Sequence, residues 1–262
     1  MSYEHIQFET RDAISTLTLD RPAVMNALNR AAIEEIDDAL NRVRDEGATR
    51  VLLLTAAGRA FCSGADIDTE LAPRSSESDL GGLLDRYFNP LIEKMFALPV
   101  PIVAAVNGAA AGAGCSLALA ADLVIASRAA YFLLAFVNIG LVPDSGITWL
   151  LPRLVGRSRA LQMMLLGERI AAAHAEQWGL IYKTVEPGEL DSASMTLARR
   201  LANGPTQAYS LVRGCMRASM ESTLTEVLAL ESRNQVLANR TGDFAEGISA
   251  FRERRPPQFR GQ

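Results

Sequence analysis

The sequence is poor in the residue types that build disulfide frameworks and metal sites. Its 262 residues include three cysteines, Cys62, Cys115 and Cys215, and no CxxC pair. An odd number of unpaired cysteines favours a reducing compartment, so we expect a cytoplasmic protein. The only histidines, His5 and His174, lie far apart in the sequence. They leave little for a metal site or a Ser-His-Asp triad, and we expect no metal.

Long hydrophobic runs are also missing. The most apolar stretch, residues 100–125, is interrupted by Pro101, Asn107 and Asp122, so it predicts buried strands and a helix rather than a membrane span. The first ten residues are polar, and we expect no secretory signal. There are 26 Lys and Arg residues against 30 Asp and Glu residues, a net charge of −4. That mild acidity argues against nucleic-acid binding.

Hydrophobic patterning predicts an α/β fold. Asn29 is a suitable N-cap for an amphipathic helix that ends at Asp45 and is closed by Gly47. The other elements predicted in this half are strands at 13–19, 51–55, 101–106 and 123–127, and helices at 80–97 and 115–121. Strands that are apolar throughout and alternate with helices are typical of a parallel sheet buried on both faces.

The remainder of the chain is predicted to be mostly helical. Only residues 182–185 have the pattern of a strand, and residues 72–79 are expected to form a mobile loop. The predicted helices cover 145–153, 157–166, 171–178, 190–202, 206–219, 223–240 and 243–251. The proline-bearing tail after them cannot continue the last helix.

Two glycine-bearing turns follow predicted buried strands, at residues 58–67 and 107–117. Each turn presents backbone N–H groups without a partner inside a helix. Two such turns side by side could direct two N–H groups at one point, as an oxyanion hole requires. A tight turn that only permits close packing explains either turn taken alone. Neither turn contains GxGxxG, and no Walker A pattern occurs.

Several motifs together resemble the enoyl-CoA hydratase/isomerase (crotonase) superfamily. The resemblance spans nearly the whole chain. It rests on Arg21-Pro22 with Asn26-Ala27-Leu28, on residues 60–67, 104–119, 121–122, 139–144 and 151–156, and on Glu246-Gly247 with Phe251.

The resemblance implies a fold, a substrate class and an assembly. The fold is a crotonase-like spiral of ββα units with a helical C-terminal trimerisation region, divided as residues 1–200 and 201–262. The substrates are acyl-CoA thioesters, with CoA as part of the substrate and no separate cofactor. The assembly is a homotrimer, and a dimer of trimers is left open. No nucleic acid or membrane partner is expected.

The resemblance also assigns roles to individual residues. The oxyanion donors are the N–H groups of Ala65 and Ala113. Ala113 replaces the glycine usual in the family, so its φ must stay negative. Five aromatic residues are candidates for the acyl pocket, although core packing is the default explanation for each: Tyr87, Phe88, Phe132, Phe136 and Trp149. Phe136 and Trp149 have the best placement. The implied contacts with CoA or substrate are Arg21, Ala23, Ser63, Gly64, Ala65, Asp66, Ile67, Gly112, Phe251 and Arg254.

The expected acid and base of a hydratase are missing. Hydratases of the superfamily carry glutamates at the positions of Ser116 and Phe136. Asp144 matches the position of a catalytic carboxylate in some Δ3,Δ2-enoyl-CoA isomerases, and its surroundings resemble the isomerases of bacterial phenylacetate degradation. From the residues alone, Asp144 is also a good N-cap for the helix predicted at 145–153.

The sequence therefore favours an enoyl-CoA isomerase with Asp144 as its base. A hydratase or a thioester hydrolase in which Asp144 orients water is the alternative among enzymes. A catalytically silent assembly or RNA-binding protein is the alternative of another class. The net charge of −4 argues against RNA, and the carboxylate at position 144 argues against a silent protein.

Overall fold

The computed structural model describes residues 3–67 and 80–262 and contains two β-sheets. All neighbouring strands of the larger sheet are parallel except β1 and β2, which form a hairpin. Its order is β1 (Ile6–Arg11), β2 (Ile14–Leu19), β3 (Val51–Ala56), β5 (Ile102–Val106), β7 (Leu123–Ser127) and β10 (Lys183–Val185). The predicted parallel sheet is confirmed. The loop expected at residues 72–79 lies outside the described residues.

The smaller sheet is built from short strands that follow the long ones. Three of its strands are parallel to one another, and the last pair is antiparallel. Its order is β4 (Ala60–Cys62), β6 (Ala109–Ala111), β8 (Tyr131–Leu133) and β9 (Ile170–Ala171). In the chain, β4, β6 and β8 come directly after β3, β5 and β7 of the larger sheet. The chain therefore winds as repeated strand–strand–helix turns.

The first helix confirms its sequence signals. It runs over Arg30–Asp45, and the Asn29 side chain accepts a hydrogen bond from the Ala32 N–H at 2.9 Å. Its apolar face is buried, and Gly47 follows with a left-handed φ of 66°.

The other helices lie close to the predicted ranges. One difference is that residues 147–166 form a single element, whose backbone breaks at Gly156 (φ 76°, ψ 162°). A π-helical turn, Leu84–Phe88, joins the helices Leu80–Leu83 and Asn89–Ala97. The helices are α1 (Arg30–Asp45), α2 (Leu80–Leu83), α3 (Asn89–Ala97), α4 (Ala113–Leu119), α5 (Ile147–Leu166), α6 (Ala172–Gln177), α7 (Leu190–Ala202), α8 (Thr206–Ser219), α9 (Leu224–Asn239) and α10 (Gly242–Glu253).

The central strands β3, β5 and β7 of the larger sheet are buried on both faces, which explains their apolar sequences. One face meets the main core, to which α1, α3, α4 and α5 contribute. The other face packs against α7 in a second, smaller core. The predicted division at residue 200 falls within α7, and it stays a prediction.

The C-terminal helices leave much apolar surface uncovered. Neither α8 nor α9 has a fully buried residue, and Val212, Met216, Leu224 and Leu228 are all more than half exposed. Arg213 ties α8 to the body of the protein through an ion pair with Asp122 at 2.8 Å. Within the described part of the chain, no helix is long and apolar enough to cross a membrane.

Candidate active site

The two glycine turns predicted from the sequence lie side by side. Each contains a short strand that the sequence did not predict, β4 in the first turn and β6 in the second, and these strands are parallel neighbours in the smaller sheet. Their backbones are so close that a Cβ on Gly64 would lie 3.0 Å from the Ala111 carbonyl oxygen and 3.5 Å from the Ala113 nitrogen. Gly64 and Gly112 have φ values of +103° and +52°. The backbone conformation therefore favours glycine at both positions, and at Gly64 a Cβ would also be crowded by the Ala111 carbonyl.

One N–H group from each turn is available at this meeting point. On either side of Ala65 the backbone is paired with Leu28: the Leu28 N–H donates to the Gly64 carbonyl, and the Asp66 N–H donates to the Leu28 carbonyl. Ala113 is the first residue of α4, and its φ is negative, as the sequence required. Among the described residues, no protein acceptor takes a hydrogen bond from the N–H of Ala65 or Ala113.

A cavity of about 480 Å³ opens onto these two turns. Asp144 is the only ionisable side chain among the described residues that line it. Eight residues predicted for the site line the cavity: Ser63, Gly64, Ala65, Ile67, Gly112, Ala113, Phe136 and Asp144. These residues come from four separate segments of the sequence, and the fold brings them together.

Much of the cavity wall was not predicted. Apolar side chains from the helical segment that begins at Leu80 form one part, and the loop before α5 forms another. These residues are Leu80, Leu83, Leu84, Phe88, Ile139, Leu141 and Val142. Of these, sequence reasoning considered only Phe88. In a sequence, an apolar side chain that faces a cavity has the same pattern as one that faces the core.

Asp144 lies in the loop that leads into α5. Its backbone carbonyl accepts hydrogen bonds from the Ser116 hydroxyl at 3.3 Å and the Ile147 N–H at 3.2 Å. One carboxylate oxygen accepts a hydrogen bond from the Ser145 hydroxyl at 2.9 Å. The N-cap of α5 is Gly146, and no side chain caps the helix. The interpretation of Asp144 as a helix cap is therefore wrong.

The surroundings of Asp144 favour its protonated form. Partial burial raises the pKa of this carboxyl group above its usual range, and the Ser145 hydrogen bond lowers the pKa to a smaller extent. Burial penalises the charged carboxylate because the cavity replaces water with apolar groups. A carboxylate with a raised pKa is a stronger base than one in water, and its protonated form can later return the proton.

The two positions at which the resemblance implies glutamates in a hydratase hold other groups in this chain. Ser116 is 1% exposed, and its hydroxyl is engaged with the Asp144 backbone. Phe136 forms an apolar wall beside the second turn, with its ring tip 3.9 Å from where a Gly112 Cβ would stand. Neither position offers a carboxylate to hold water.

Arg21 and Asp66 lie behind the first turn and not on the cavity wall. Their largely buried side chains form an ion pair at 3.0 Å, and Arg21 also donates to the Ala27 carbonyl. Asn26 donates to the Ala57 and Ala60 carbonyls at 2.9 and 2.8 Å. These bonds fix the 21–28 segment against the first turn. Ala23 is exposed on that segment.

Three other predicted residues do not line the cavity. Trp149, expected in the acyl pocket, packs edge to face on Phe96 with ring centres 5.9 Å apart, and the Arg153 guanidinium lies over its ring. Phe251 is 84% exposed on α10, and Arg254 ends that helix with a φ of 56°. Within one chain, neither Phe251 nor Arg254 contributes to the cavity.

Comparisons with known proteins give consistent similarities over the whole chain. Residues 9–262 match the family model described as enoyl-CoA hydratase/isomerase. The chain is 42% identical over 260 residues to 1,2-epoxyphenylacetyl-CoA isomerase of Escherichia coli K12, with 99% of each chain covered. It is 45% identical over 262 residues to a protein of Rhodobacter capsulatus named probable enoyl-CoA hydratase, with 100% of each covered. The crystal structure of enoyl-CoA hydratase from Bacillus anthracis matches with a TM-score of 0.93 at 30% identity, over 99% of this chain and 100% of that one.

Proposed function

The chain belongs to the enoyl-CoA hydratase/isomerase family, and we propose that it is an enoyl-CoA isomerase that moves a carbon–carbon double bond with Asp144 as its base. The family and the spiral fold predicted from the motifs are confirmed. The names of its relatives include both isomerases and hydratases. The choice between these two reactions rests on the cavity.

One observation carries the proposal: a single ionisable side chain lines the described part of a cavity that also holds two unpaired N–H groups. A thioester oxygen bound by the Ala65 and Ala113 N–H groups would be stabilised as it gains negative charge. The Asp144 carboxylate would take a proton from C2 of a 3-enoyl-CoA, and the C2–H electron pair would form the enolate. As the carbonyl reforms, C4 takes the proton from Asp144, and the double bond lies between C2 and C3.

Hydration would need a second acid–base group beside Asp144 to activate and position water. The structure has a hydroxyl already engaged with a backbone carbonyl at Ser116 and a phenyl ring at Phe136. The proposed reaction needs no metal or redox cofactor, because one proton moves between two carbons of the same substrate.

We expect the protein to isomerise a 3-enoyl-CoA much faster than it hydrates crotonyl-CoA. The physical reason is that only one carboxylate faces the substrate, and it suffices for proton transfer within the substrate. Both rates can be measured on the same preparation by product identification. Efficient hydration of crotonyl-CoA that disappears in Asp144→Asn would show that the aspartate activates water and that the isomerase assignment is wrong.

The proposed CoA site includes residues outside the cavity. Ser63, Gly64, Asp66 and Ile67 would accompany the adenine end of CoA, and Ile67 is 57% exposed at the cavity edge. Arg21 and Ala23 would lie beside the phosphates. Arg21 would act there mainly by shaping the loop, because Asp66 already neutralises its charge.

We propose a homotrimer in which Phe251 and Arg254 of one subunit reach the CoA site of its neighbour. The exposed apolar face of α8 and α9 supports this assembly, because an uncovered face of this width needs a partner surface. Light scattering at micromolar concentration is expected to give about three times the mass of one chain, or six times if trimers pair. Val212→Asp, which places a charge in the groove between α8 and α9, should shift the mass towards one chain. A monomeric wild-type protein would refute the assembly.

A further inference from the structure

We propose that Ser116 is a positioning residue that holds Asp144 in the geometry needed for proton transfer. This inference rests on the proposed function, because it assigns the supporting group of the proposed base. Ser116 replaces an acid of the hydratases, yet it makes a specific contact with the site.

The contact is a tertiary hydrogen bond from a fully buried side chain. Ser116 is 1% exposed on α4, and its hydroxyl donates to the Asp144 carbonyl at 3.3 Å across 28 positions of the sequence. A serine inside a helix commonly bonds to a carbonyl of its own helix. Here the hydroxyl instead leaves its helix and joins the loop that carries the base.

That loop contains backbone conformations that L-residues rarely adopt. Ser145 has a φ of 54°, and it lies between Asp144 and Gly146, whose φ is 74°. The left-handed region is unfavourable for a residue with a Cβ. Among the described residues, Ser116 supplies the only hydrogen bond to the Asp144 main chain from outside residues 144–147. Without it, we expect the loop to relax and the carboxylate to move.

The same helix also carries one oxyanion donor. Ala113 begins α4, and Ser116 follows three residues later. A single short helix therefore connects the donor for the thioester oxygen with the loop that holds the base. Displacement of a reacting group by about 1 Å can cost about 100-fold in rate.

The test compares Ser116→Ala with a matched control, Ser194→Ala. Ser194 is also 1% exposed, and its hydroxyl also donates to a backbone carbonyl, that of Asp191, at 3.1 Å on α7. For Ser116→Ala we expect kcat for isomerisation of a 3-enoyl-CoA to fall about 10-fold to 100-fold, with KM changed less than twofold. For Ser194→Ala we expect both constants to stay within twofold, with a similar fall in Tm. Ser116→Thr, which restores a hydroxyl, should recover most of kcat.

Each outcome supports or overturns the inference. A wild-type kcat in folded Ser116→Ala would overturn it, as would equal losses of kcat in both alanine variants. If Ser116→Ala does not fold, Ser116→Cys keeps the volume, removes the hydroxyl and is judged by the same criteria. Full activity of Asp144→Asn, or no isomerase turnover in the wild type, would instead overturn the proposed function and this inference with it.

Discussion

Asp144→Asn is expected to lower isomerase turnover by about 10²–10⁴-fold, the usual contribution of a general base. The amide keeps the shape of the side chain and an acceptor for the Ser145 hydroxyl, but it cannot take a proton. No other ionisable group among the described lining residues can replace it. The measurement is kcat on a 3-enoyl-CoA at several pH values. Near-native turnover would eliminate Asp144 as the base.

The same variant is expected to keep or raise the free energy of unfolding at neutral pH. The pKa of Asp144 is raised in the folded protein, mainly by burial. A raised pKa means that this group favours folding at low pH and that its contribution is lost as the pH rises through the folded-state pKa. Asparagine is uncharged throughout, so it avoids that loss. Denaturation of both proteins at pH 7 tests this, and a marked loss of stability would show a structural role instead.

The wild-type turnover should rise with pH as Asp144 loses its proton. Because burial raises the pKa of Asp144, the midpoint of this rise should lie above the usual range of an aspartate. A midpoint at or below the usual pKa of an aspartate would contradict the burial of the Asp144 carboxyl group seen in the structure.

Removal of an oxyanion donor should have the second large effect. Ala113→Pro deletes the N–H of the first residue of α4, and we expect turnover to fall by about 10²–10³-fold. Proline is well tolerated at the first position of a helix because its missing N–H has no partner inside the helix. Proline disfavours a helical backbone in the residue before it, and Gly112, with φ 52° and ψ −128°, is not helical.

Ala113→Gly is the matched control for this prediction. It keeps the N–H and removes the methyl group, so turnover should stay within a few-fold of the wild type. Circular dichroism melts establish that both variants are folded. A folded Ala113→Pro protein with native turnover would exclude this N–H as a donor.

The sequence predicted most of the fold because its strongest signals are local. The Asn29 cap, the apolar face of α1 and the apolar strands of the larger sheet all specify their elements from neighbouring residues. Strand β1 was not predicted, because most of its residues are at least partly exposed at the edge of the sheet. The turn between β1 and β2 also lacks the usual glycine signal, since Asp12 and Ala13 adopt left-handed conformations without glycine.

The candidate site could be predicted only in part. Both turns were found because glycine spacing leaves a visible motif, whereas Asp144 was singled out as a base only through the family resemblance. The capping interpretation of Asp144 failed because Ser145 and Gly146 both turn left-handed, so the helix begins later than a local pattern indicates. The prediction that Trp149 lines the acyl pocket was wrong for a different reason. Its ring packs on Phe96, and a contact between residues so far apart in the sequence leaves no local pattern.

The close packing of Gly64 against the second turn has a consequence for how such a protein can diverge. The spacing of the two proposed donors is set by main chain packed on main chain, so substitutions elsewhere in the cavity need not alter it. The acyl-facing wall comes instead from side chains of the segment after Leu80 and of the loop before α5. Selectivity and enolate stabilisation can therefore change independently. Mutational drift would alter which acyl group is accepted long before it alters the chemistry, and residue 64 would be among the last positions to vary.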